Sequence, residues 1–325
     1  MTKAFDLVKH SLLFKKLLAA GLSDIFIRMM LFVYVMQYAN VRWNGEVSSI
    51  FTLSNGVRQG GVIATILYCF YTNDLFKLLR NKSTGCWVNS SYQGIFGYSD
   101  DNILMAPSIS ALQDMLTTFE EYAQEHNLKF STDPNPRKCK TKCLAFQKRP
   151  KPLPNLVLCG VPLPWVDSCK HLGNTVENKI NGMKKDISIK RASYVAKNNE
   201  LCQEFHFPHP VTKIKVNNIY NTHFSGSQLW DLFCDEAIKL ENTWNKSVRI
   251  LPFETHRYFV EPLSGGLHIK KILIKRFLSF IESIKKSKKI IPKMLLETIQ
   301  HDVRCTTGSN LRKIMLLVGK TNICE

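Results

Sequence analysis

Two adjacent carboxylates, Asp100 and Asp101, are the residues of this sequence best suited to chemistry. They lie between two short apolar runs, 95–98 and 103–105, which are rich in β-branched or aromatic residues. Such runs predict a strand, a tight turn and a second strand, with both carboxylates at the tip. Like charges so close raise one pKa unless a cation compensates them, and Mg²⁺ binds one or two carboxylates together with substrate phosphates. The alternative is a solvated turn, where Asp is common.

The composition favours a folded, basic protein that binds polyanions. The chain has 325 residues, 45% of them hydrophobic, with 44 Lys and Arg against 26 Asp and Glu, a formal charge of +18. This charge is spread along the sequence, which indicates a basic surface rather than a basic tail. The ten cysteines show no zinc-site spacing, and we see no secretory signal. We therefore expect no disulfides and an intracellular protein, in the nucleus, the cytoplasm or both.

The elements around the carboxylates predict an α+β fold. Helical spacing over residues 11–38 is broken near Gly21, and the Asn-Gly pair at 44–45 favours a hairpin. An apolar helical face follows residue 61, formed by Ile63, Ile66, Leu67, Phe70, Tyr71, Leu75, Leu78 and Leu79. Another helix, with Ser110 as its cap, follows the carboxylate hairpin. Farther on, a second apolar helical face is predicted from Ile269, Ile272, Leu273, Phe277, Phe280, Ile281 and Ile284. This order predicts an antiparallel sheet with helices packed on one face. The longest apolar stretch is too short to span a bilayer, so no membrane partner is expected.

Four blocks carry a more specific pattern. They are Lys3–His10, Asn55–Val62 with its helix through Leu75, Phe96–Asp101, and Lys138–Lys142. In this order they resemble the palm of a reverse transcriptase from a non-LTR (LINE-type) retrotransposon. Each block by itself is a weak signal, whereas four in register are specific. Farther on, Lys170–Gly173 resembles the hairpin that grips the primer strand, and segments 255–258 and 306–312 resemble the tail of such elements.

The resemblance implies a division into three segments. Residues 1–150 would be a partial palm with its antiparallel sheet, and 151–177 a connector with a primer-grip-like hairpin. Residues 178–325 would be a basic, mainly helical thumb or C-terminal region. The implied activity is that of an RNA-directed DNA polymerase, a nucleotidyltransferase. Its partners would be an RNA template, a DNA primer and deoxynucleoside triphosphates, and its cofactor Mg²⁺, with Mn²⁺ as the alternative.

The resemblance also assigns roles to individual residues. Asp100 would be the main metal ligand of the hairpin. Asp101 would be a second, less direct ligand or a residue that orients the metal ligands. Phe5 would lie under the incoming sugar and exclude a ribose 2′-hydroxyl. Lys140 would protonate or neutralise the departing pyrophosphate. The nucleotide and template pocket would be lined by Arg58, Gln59, Gly60 and Tyr98.

Each role has a structural alternative. Phe5 could be a plain core residue, the segment around Gly60 an ordinary loop before a helix, and Lys140 a solvated cation. The pyrophosphate role could also shift to Lys138 or Lys142, which are close by in the sequence.

The sequence departs from the family at its start. The first metal-binding Asp of the family would stand four residues before Ala4, at a position that this sequence does not contain. We therefore expect an N-terminally truncated copy that lacks the fingers and is inactive as a polymerase. Two alternatives are a non-catalytic nucleic-acid-binding remnant of such an element and, less well supported, a maturase-like relative.

Overall fold

A computed structural model describes residues 3–147, 151–179, 183–204, 212–213, 215–217, 224–250, 268–302 and 305–317. Its contacts divide the chain into two compact units. The first comprises Met1–Cys143 with Arg149–Val166, and the second Leu144–Lys148 with Asp167–Glu325. The predicted three-segment division is not tested by this and stays a prediction.

The first unit combines four helices with short antiparallel ribbons in its described residues. Its helices are α1 (His10–Ala19), α2 (Asp24–Val35), α3 (Ala64–Asn81) and α4 (Ile109–Glu125). Its strands are β1 (Tyr38–Ala39), β2 (Arg42–Trp43), β3 (Glu46–Val47), β4 (Phe51–Thr52), β5 (Trp87–Val88), β6 (Ser91–Tyr92), β7 (Ile95–Tyr98), β8 (Asp101–Leu104), β9 (Val157–Leu158) and β10 (Val161–Pro162). They form two-stranded antiparallel sheets, which are β1–β4, β2–β3, β5–β6, β7–β8 and β9–β10.

Local sequence signals explain several of these boundaries. The break between α1 and α2 falls where predicted, and the Ser23 hydroxyl caps α2 by accepting from the Phe26 N–H. The Asn-Gly pair at 44–45 turns the β2–β3 hairpin with both residues at positive φ, as a type I′ turn requires. The predicted cap of α4 was wrong by two residues. Ser108, not Ser110, accepts from the Ala111 N–H and begins the helix.

The core of the first unit lies where α1 and α4 contact α3. The predicted apolar face of α3 holds for Leu67, Tyr71, Leu75 and Leu79, which are buried. It was wrong for Ile63, Ile66 and Leu78, which are exposed. The side of α3 that carries Tyr68 is buried instead, so the helix is rotated relative to the prediction.

The second unit is a helical assembly with one hairpin in its described residues. Its elements are β11 (Ser168–His171), β12 (Asn174–Glu177), α5 (Lys184–Glu204), a 3₁₀ turn (Ser227–Leu229), α6 (Asp235–Ile250), α7 (Ile269–Lys286), α8 (Ile290–His301) and α9 (Thr306–Leu317). The predicted apolar face of α7 is confirmed at its buried positions, which are Ile269, Leu273, Phe277, Ile281 and Ile284. Across the two units the described residues combine helices with antiparallel strand pairs, so the predicted mixed class is confirmed, while the palm-like sheet with helices on one face stays a prediction. The tail-like segment 255–258 lies outside the described residues.

A partly buried polar cluster joins α1, α3 and α4. The Lys16 ammonium donates to the carbonyl of Tyr71 (2.6 Å) and the hydroxyl of Tyr122 (2.9 Å), and pairs with Asp74 at 3.0 Å. The ring of His126 stacks on Tyr122 with centroids 3.7 Å apart. Burial, reinforced by the charge of Lys16, lowers the pKa of His126. This histidine is therefore neutral in the folded protein at neutral pH.

The His126 environment predicts a pH-dependent stability. Because its pKa is lowered on folding from about 6.5, the unfolded chain binds the extra proton. The stability that the neutral His126 imidazole contributes is fully present above about pH 6.5. It is lost as the pH falls from there towards the lowered pKa of His126 in the folded protein. Urea unfolding between about pH 5 and pH 8 should give a free energy of unfolding that rises with pH. His126→Gln should flatten this rise, and an equal slope in both proteins would contradict the assignment.

Candidate active site

The carboxylate pair lies on the β7–β8 hairpin, but the turn of this hairpin is one residue earlier in the sequence than predicted. Tyr98 pairs with Asp101, so Ser99 and Asp100 form the two-residue turn. Asp100 is therefore at the tip, whereas Asp101 is the first residue of β8. The prediction that both carboxylates form the tip was wrong. Ser99 has φ 57°, a left-handed conformation unusual for a residue with a side chain. Such strain is concentrated at functional sites.

Helix α3 supports this hairpin from one side. A Cβ atom at Gly97 would lie 2.5 Å from the ring of Phe76, so the glycine permits close packing between strand and helix. The Asn102 amide donates to the backbone carbonyl of Asp100 at 3.2 Å and ties the turn to the next strand. Tyr98, one of the predicted nucleotide contacts, is 68% exposed. The side chain of Asp100 is half-buried and that of Asp101 is exposed.

The first block of the sequence contacts α3 at Tyr68. The ring of Phe5 stacks on Tyr68 with centroids 5.1 Å apart and planes at 25°. Tyr68 is fully buried, and its pKa is raised by burial and by the nearby charge of Asp100. One side chain therefore contacts the predicted sugar-selecting residue and lies within electrostatic reach of the predicted metal ligand.

The first and second blocks are joined through their backbones. The Val57 N–H donates to the carbonyl of Phe5 and the Gly56 N–H to that of Val8, both at 2.8 Å. The ring of His10 donates from Nε2 to the carbonyl of Gly56 at 2.7 Å. Gly56 has φ +93°, and a Cβ there would lie 3.0 Å from the Asp6 backbone. This glycine is therefore required both by its conformation and by the close contact.

The Gly56 contact gives a prediction with a matched control. Gly45 also has a positive φ, +90°, but nothing lies within 4 Å of a Cβ built there. Gly45→Ala should therefore cost only the left-handed strain, about 1–2 kcal/mol. Gly56→Ala should cost about 1–3 kcal/mol more, because the methyl group must also displace backbone. Chemical denaturation of both variants measures the difference, and equal losses would contradict the tight junction of the two blocks.

Arg58 to Gly61 form a tight turn that leads into α3. The Gly61 N–H donates to the Arg58 carbonyl at 2.9 Å, and Gly60 has φ +84°. This is the position at which a type II turn needs glycine. Arg58, Gln59 and Gly60 are exposed. The charge of Arg58 also lies close to Tyr34, where it partly offsets the rise in pKa that burial causes.

Lys140 lies on a separate loop. Its backbone N–H, like that of Thr141, donates to the carbonyl of Ser131 at 3.2 Å, and its side chain is exposed. The neighbouring Lys138 and Lys142 are exposed as well. Among the described residues, no hydrogen bond or ion pair joins Lys140 to the carboxylate hairpin. The structure therefore does not distinguish among the three lysines.

The second unit positions the primer-grip-like hairpin on a buried carboxylate. Leu172 and Gly173 turn β11 into β12, both at positive φ. Asp186 of α5 is 1% exposed and accepts from the Thr175 N–H, the Lys190 ammonium and the Trp230 indole, each at 2.8 Å. The hairpin is therefore attached to α5 through the hydrogen bond from the Thr175 N–H to the Asp186 carboxylate, which also pairs with Lys190.

Residues 1–176 match the sequence profile of the family described as reverse transcriptase (RNA-dependent DNA polymerase). The chain belongs to this family. The reverse transcriptase family that the four blocks predicted is thereby confirmed, and with it the nucleotidyltransferase class by family. No helix within the described ranges is long and apolar enough to cross a membrane. The nine cysteines among these residues are free thiols.

Curated relatives of this reverse transcriptase chain come from mobile elements. It is 25% identical to a probable RNA-directed DNA polymerase from transposon X-element of Drosophila melanogaster, over 65% of this chain and 23% of that protein. It is 23% identical to a retrovirus-related Pol polyprotein from type-1 retrotransposable element R2 of Popillia japonica, over 53% of this chain and 29% of that protein. The chain thus spans about a quarter of the length of these two relatives.

Sequence reasoning missed Tyr68 as a residue of the site. It lies inside an apolar helical segment and has the spacing of a core residue. Tyr68, Thr72 and Phe76 are four residues apart and share one side of α3. This four-residue spacing could have indicated that Tyr68 faces the site, because the same side of α3 contacts the hairpin where Phe76 meets Gly97.

Proposed function

We propose that this chain provides the palm part of an RNA-directed DNA polymerase of a non-LTR retrotransposon. Its ligands would be an RNA template, a DNA primer and deoxynucleoside triphosphates, and its β7–β8 hairpin would belong to a palm-like sheet. The observation that carries the proposal is the convergence of three blocks. Phe5 stacks on Tyr68 of α3, the Phe5 carbonyl accepts from the Val57 N–H, and α3 packs against the carboxylate hairpin where Phe76 meets Gly97.

The donor set of the hairpin fits a hard divalent cation. Asp100 and Asp101 offer carboxylate oxygens at neighbouring positions, and Mg²⁺ combines one or two carboxylates with substrate phosphates. Mn²⁺ accepts the same oxygen ligands. When bound, such metal ions stabilise the entering and leaving oxygens of phosphoryl transfer. Within the described residues, no third Asp, Glu, His or Cys forms a group with these two.

The other residues would bind and orient the nucleotide. The ring of Phe5, held by its stack on Tyr68, would lie against the sugar and exclude a 2′-hydroxyl by contact. Arg58 would offer a fixed cation to the phosphates, and Gly60 would let the backbone approach a base pair. Lys140 would place a mobile positive charge near the departing pyrophosphate. These roles are supported by the family motif and by the exposure of Arg58, Gly60 and Lys140.

We propose further that this chain supplies one acidic motif of a site that needs two. Two-metal sites position both an attacking and a leaving oxygen, and the described residues contain no group of three or more Asp, Glu, His or Cys side chains that could hold a metal ion. We therefore expect the chain by itself to bind template, primer and nucleotide without efficient extension. The net charge of +18 favours, as a second candidate, a remnant that binds nucleic acid only.

Primer extension distinguishes these functions. A primed RNA template is incubated with the chain, deoxynucleotides and Mg²⁺, and Asp100→Asn/Asp101→Asn is the control. Extension above the control would establish a polymerase and would contradict the half-site. No extension, together with nucleotide binding that Asp100→Asn weakens, is the expected result. Salt-sensitive nucleic-acid binding with no nucleotide binding at all would favour the remnant.

A further inference from the structure

The segment that joins α7 to α8 carries four lysines in five positions. They are Lys285, Lys286, Lys288 and Lys289, and all four are exposed. Between positions 268 and 296 the sequence has one acidic residue, Glu282, which pairs with Lys286 at 2.7 Å. Both side chains of this pair are exposed, so the pair is weak in water. The segment 285–289 is therefore a compact, exposed cluster of positive charge.

The stability of the helices explains only half of this cluster. Lys285 and Lys286 lie in the last turn of α7, where cations interact favourably with the helix dipole. Lys288 and Lys289 directly precede α8, and the N-terminal end of a helix disfavours positive charge. Lys289 is the N-cap of α8, yet its side chain makes no capping hydrogen bond, since an ammonium has no acceptor atom. Folding therefore does not explain Lys288 and Lys289.

The backbone between the two helices is already extended. Ser287 has φ −74° and ψ 132°, and Lys289 has φ −76° and ψ 149°. These angles are close to those of polyproline II, a conformation that peptide-binding grooves recognise. The backbone N–H groups bond locally, that of Ser287 to the Ile284 carbonyl and that of Lys289 to the Ser287 hydroxyl. A partner can therefore bind this segment without disturbing the buried face of α7.

The lysines of this segment are separate from the other cations of α7. Lys271 and Lys275 are exposed on the first half of the helix, but no Lys or Arg stands between Arg276 and Lys285. The exposed residues of that interval are Leu278, Ser279, Glu282 and Ser283. A surface for a nucleic-acid backbone needs cations spread along successive phosphates. Cations that are contiguous in an extended stretch of chain instead fit a receptor for a linear peptide.

We propose that residues 285–289 are a nuclear import signal, bound by an importin through carboxylates that line a groove for extended peptides. Short runs rich in Lys and Arg are typical both of such signals and of nucleic-acid contacts, and the extended backbone favours the import signal. Each exposed ammonium would donate to a carboxylate, which is a charge-assisted hydrogen bond. The inference goes beyond the proposed function and holds whether or not the chain extends a primer.

Importin binding tests the signal on the full chain. Fluorescence anisotropy measures the affinity of the labelled chain for purified importin and, separately, for a duplex RNA at the same salt concentration. Lys288→Gln/Lys289→Gln removes two charges from the segment. Lys271→Gln/Lys275→Gln is the matched control, because it removes two charges from the middle of α7. All four lysines are exposed, so both variants should fold like the unaltered chain.

The two variants should differ in importin binding. Lys288→Gln/Lys289→Gln should weaken it by at least about tenfold, since charge-assisted contacts are lost, whereas Lys271→Gln/Lys275→Gln should leave it unchanged. In cells, a fluorescent fusion too large to diffuse through nuclear pores should lose its nuclear accumulation in the first variant and keep it in the second.

Three results would overturn the import signal. They are equal importin affinities of the two variants, no importin binding by the unaltered chain, and nuclear accumulation that Lys288→Gln/Lys289→Gln does not reduce. If this variant weakens binding to duplex RNA while importin binding stays unchanged, the cluster is a nucleic-acid contact and the import signal is likewise overturned.

Discussion

Asp186→Ala should destabilise the second unit by about 3–5 kcal/mol, the loss typical of breaking a buried ion pair from one side. The carboxylate is 1% exposed and accepts from Lys190, Trp230 and the backbone of Thr175. Its removal leaves a cation that is 14% exposed without its counter-ion. Chemical denaturation, followed by tryptophan fluorescence because Trp230 lies in the network, measures the loss.

A double variant tests the cause of this loss. Asp186→Ala/Lys190→Met removes the uncompensated charge, so it should be less destabilised than the sum of the two single variants. Glu282→Gln is the control, because it breaks an exposed pair with Lys286 and should leave stability unchanged. Additive losses in the double variant would contradict the role of Asp186 as the counter-charge of Lys190.

Lys16→Met should destabilise the first unit by about 2–3 kcal/mol, because hydrogen bonds from a charged donor are lost in a buried place. Lys16 is 13% exposed and donates to Tyr71 and Tyr122. Since its charge helps to lower the pKa of His126, the same variant should raise that pKa. Urea denaturation gives the stability, and NMR titration of the imidazole gives the pKa.

Lys77→Met is the matched control for Lys16→Met. Lys77 also pairs with Asp74, at 3.9 Å, but its side chain is 69% exposed. The loss should therefore stay below about 0.5 kcal/mol, with the pKa of His126 unchanged. Similar losses in the two variants would show that pairing with Asp74, rather than the buried hydrogen bonds, accounts for the stability.

Elements with local signals were predictable from the sequence. The break between α1 and α2, the Asn-Gly hairpin at 44–45 and the apolar face of α7 depend on neighbouring residues, and all three are confirmed. The family was recognisable for a similar reason, because its blocks are contiguous and ordered. The roles of the individual site residues and the three-segment division stay predictions.

Features that depend on contacts through space were not predictable. The sequence does not show whether the turn is Ser99-Asp100 or Asp100-Asp101, since both pairs suit a two-residue loop. The choice is made by the pairing of Tyr98 with Asp101. Tyr68 could not be distinguished from an ordinary core residue, because its stack on Phe5 joins residues that are distant in the sequence. The rotation of α3 that buries Tyr68 depends on tertiary packing in the same way.

Binding of Mn²⁺ together with a deoxynucleotide tests the central claim most directly, namely that the Asp100–Asp101 hairpin is a polymerase metal site. Electron paramagnetic resonance of free Mn²⁺ measures this binding in the unaltered chain and in Asp100→Asn, with Glu282→Gln as the control. We predict that Asp100→Asn weakens Mn²⁺ binding by at least about tenfold, while Glu282→Gln leaves it unchanged. Equal Mn²⁺ binding by the unaltered chain and Asp100→Asn would contradict the claim.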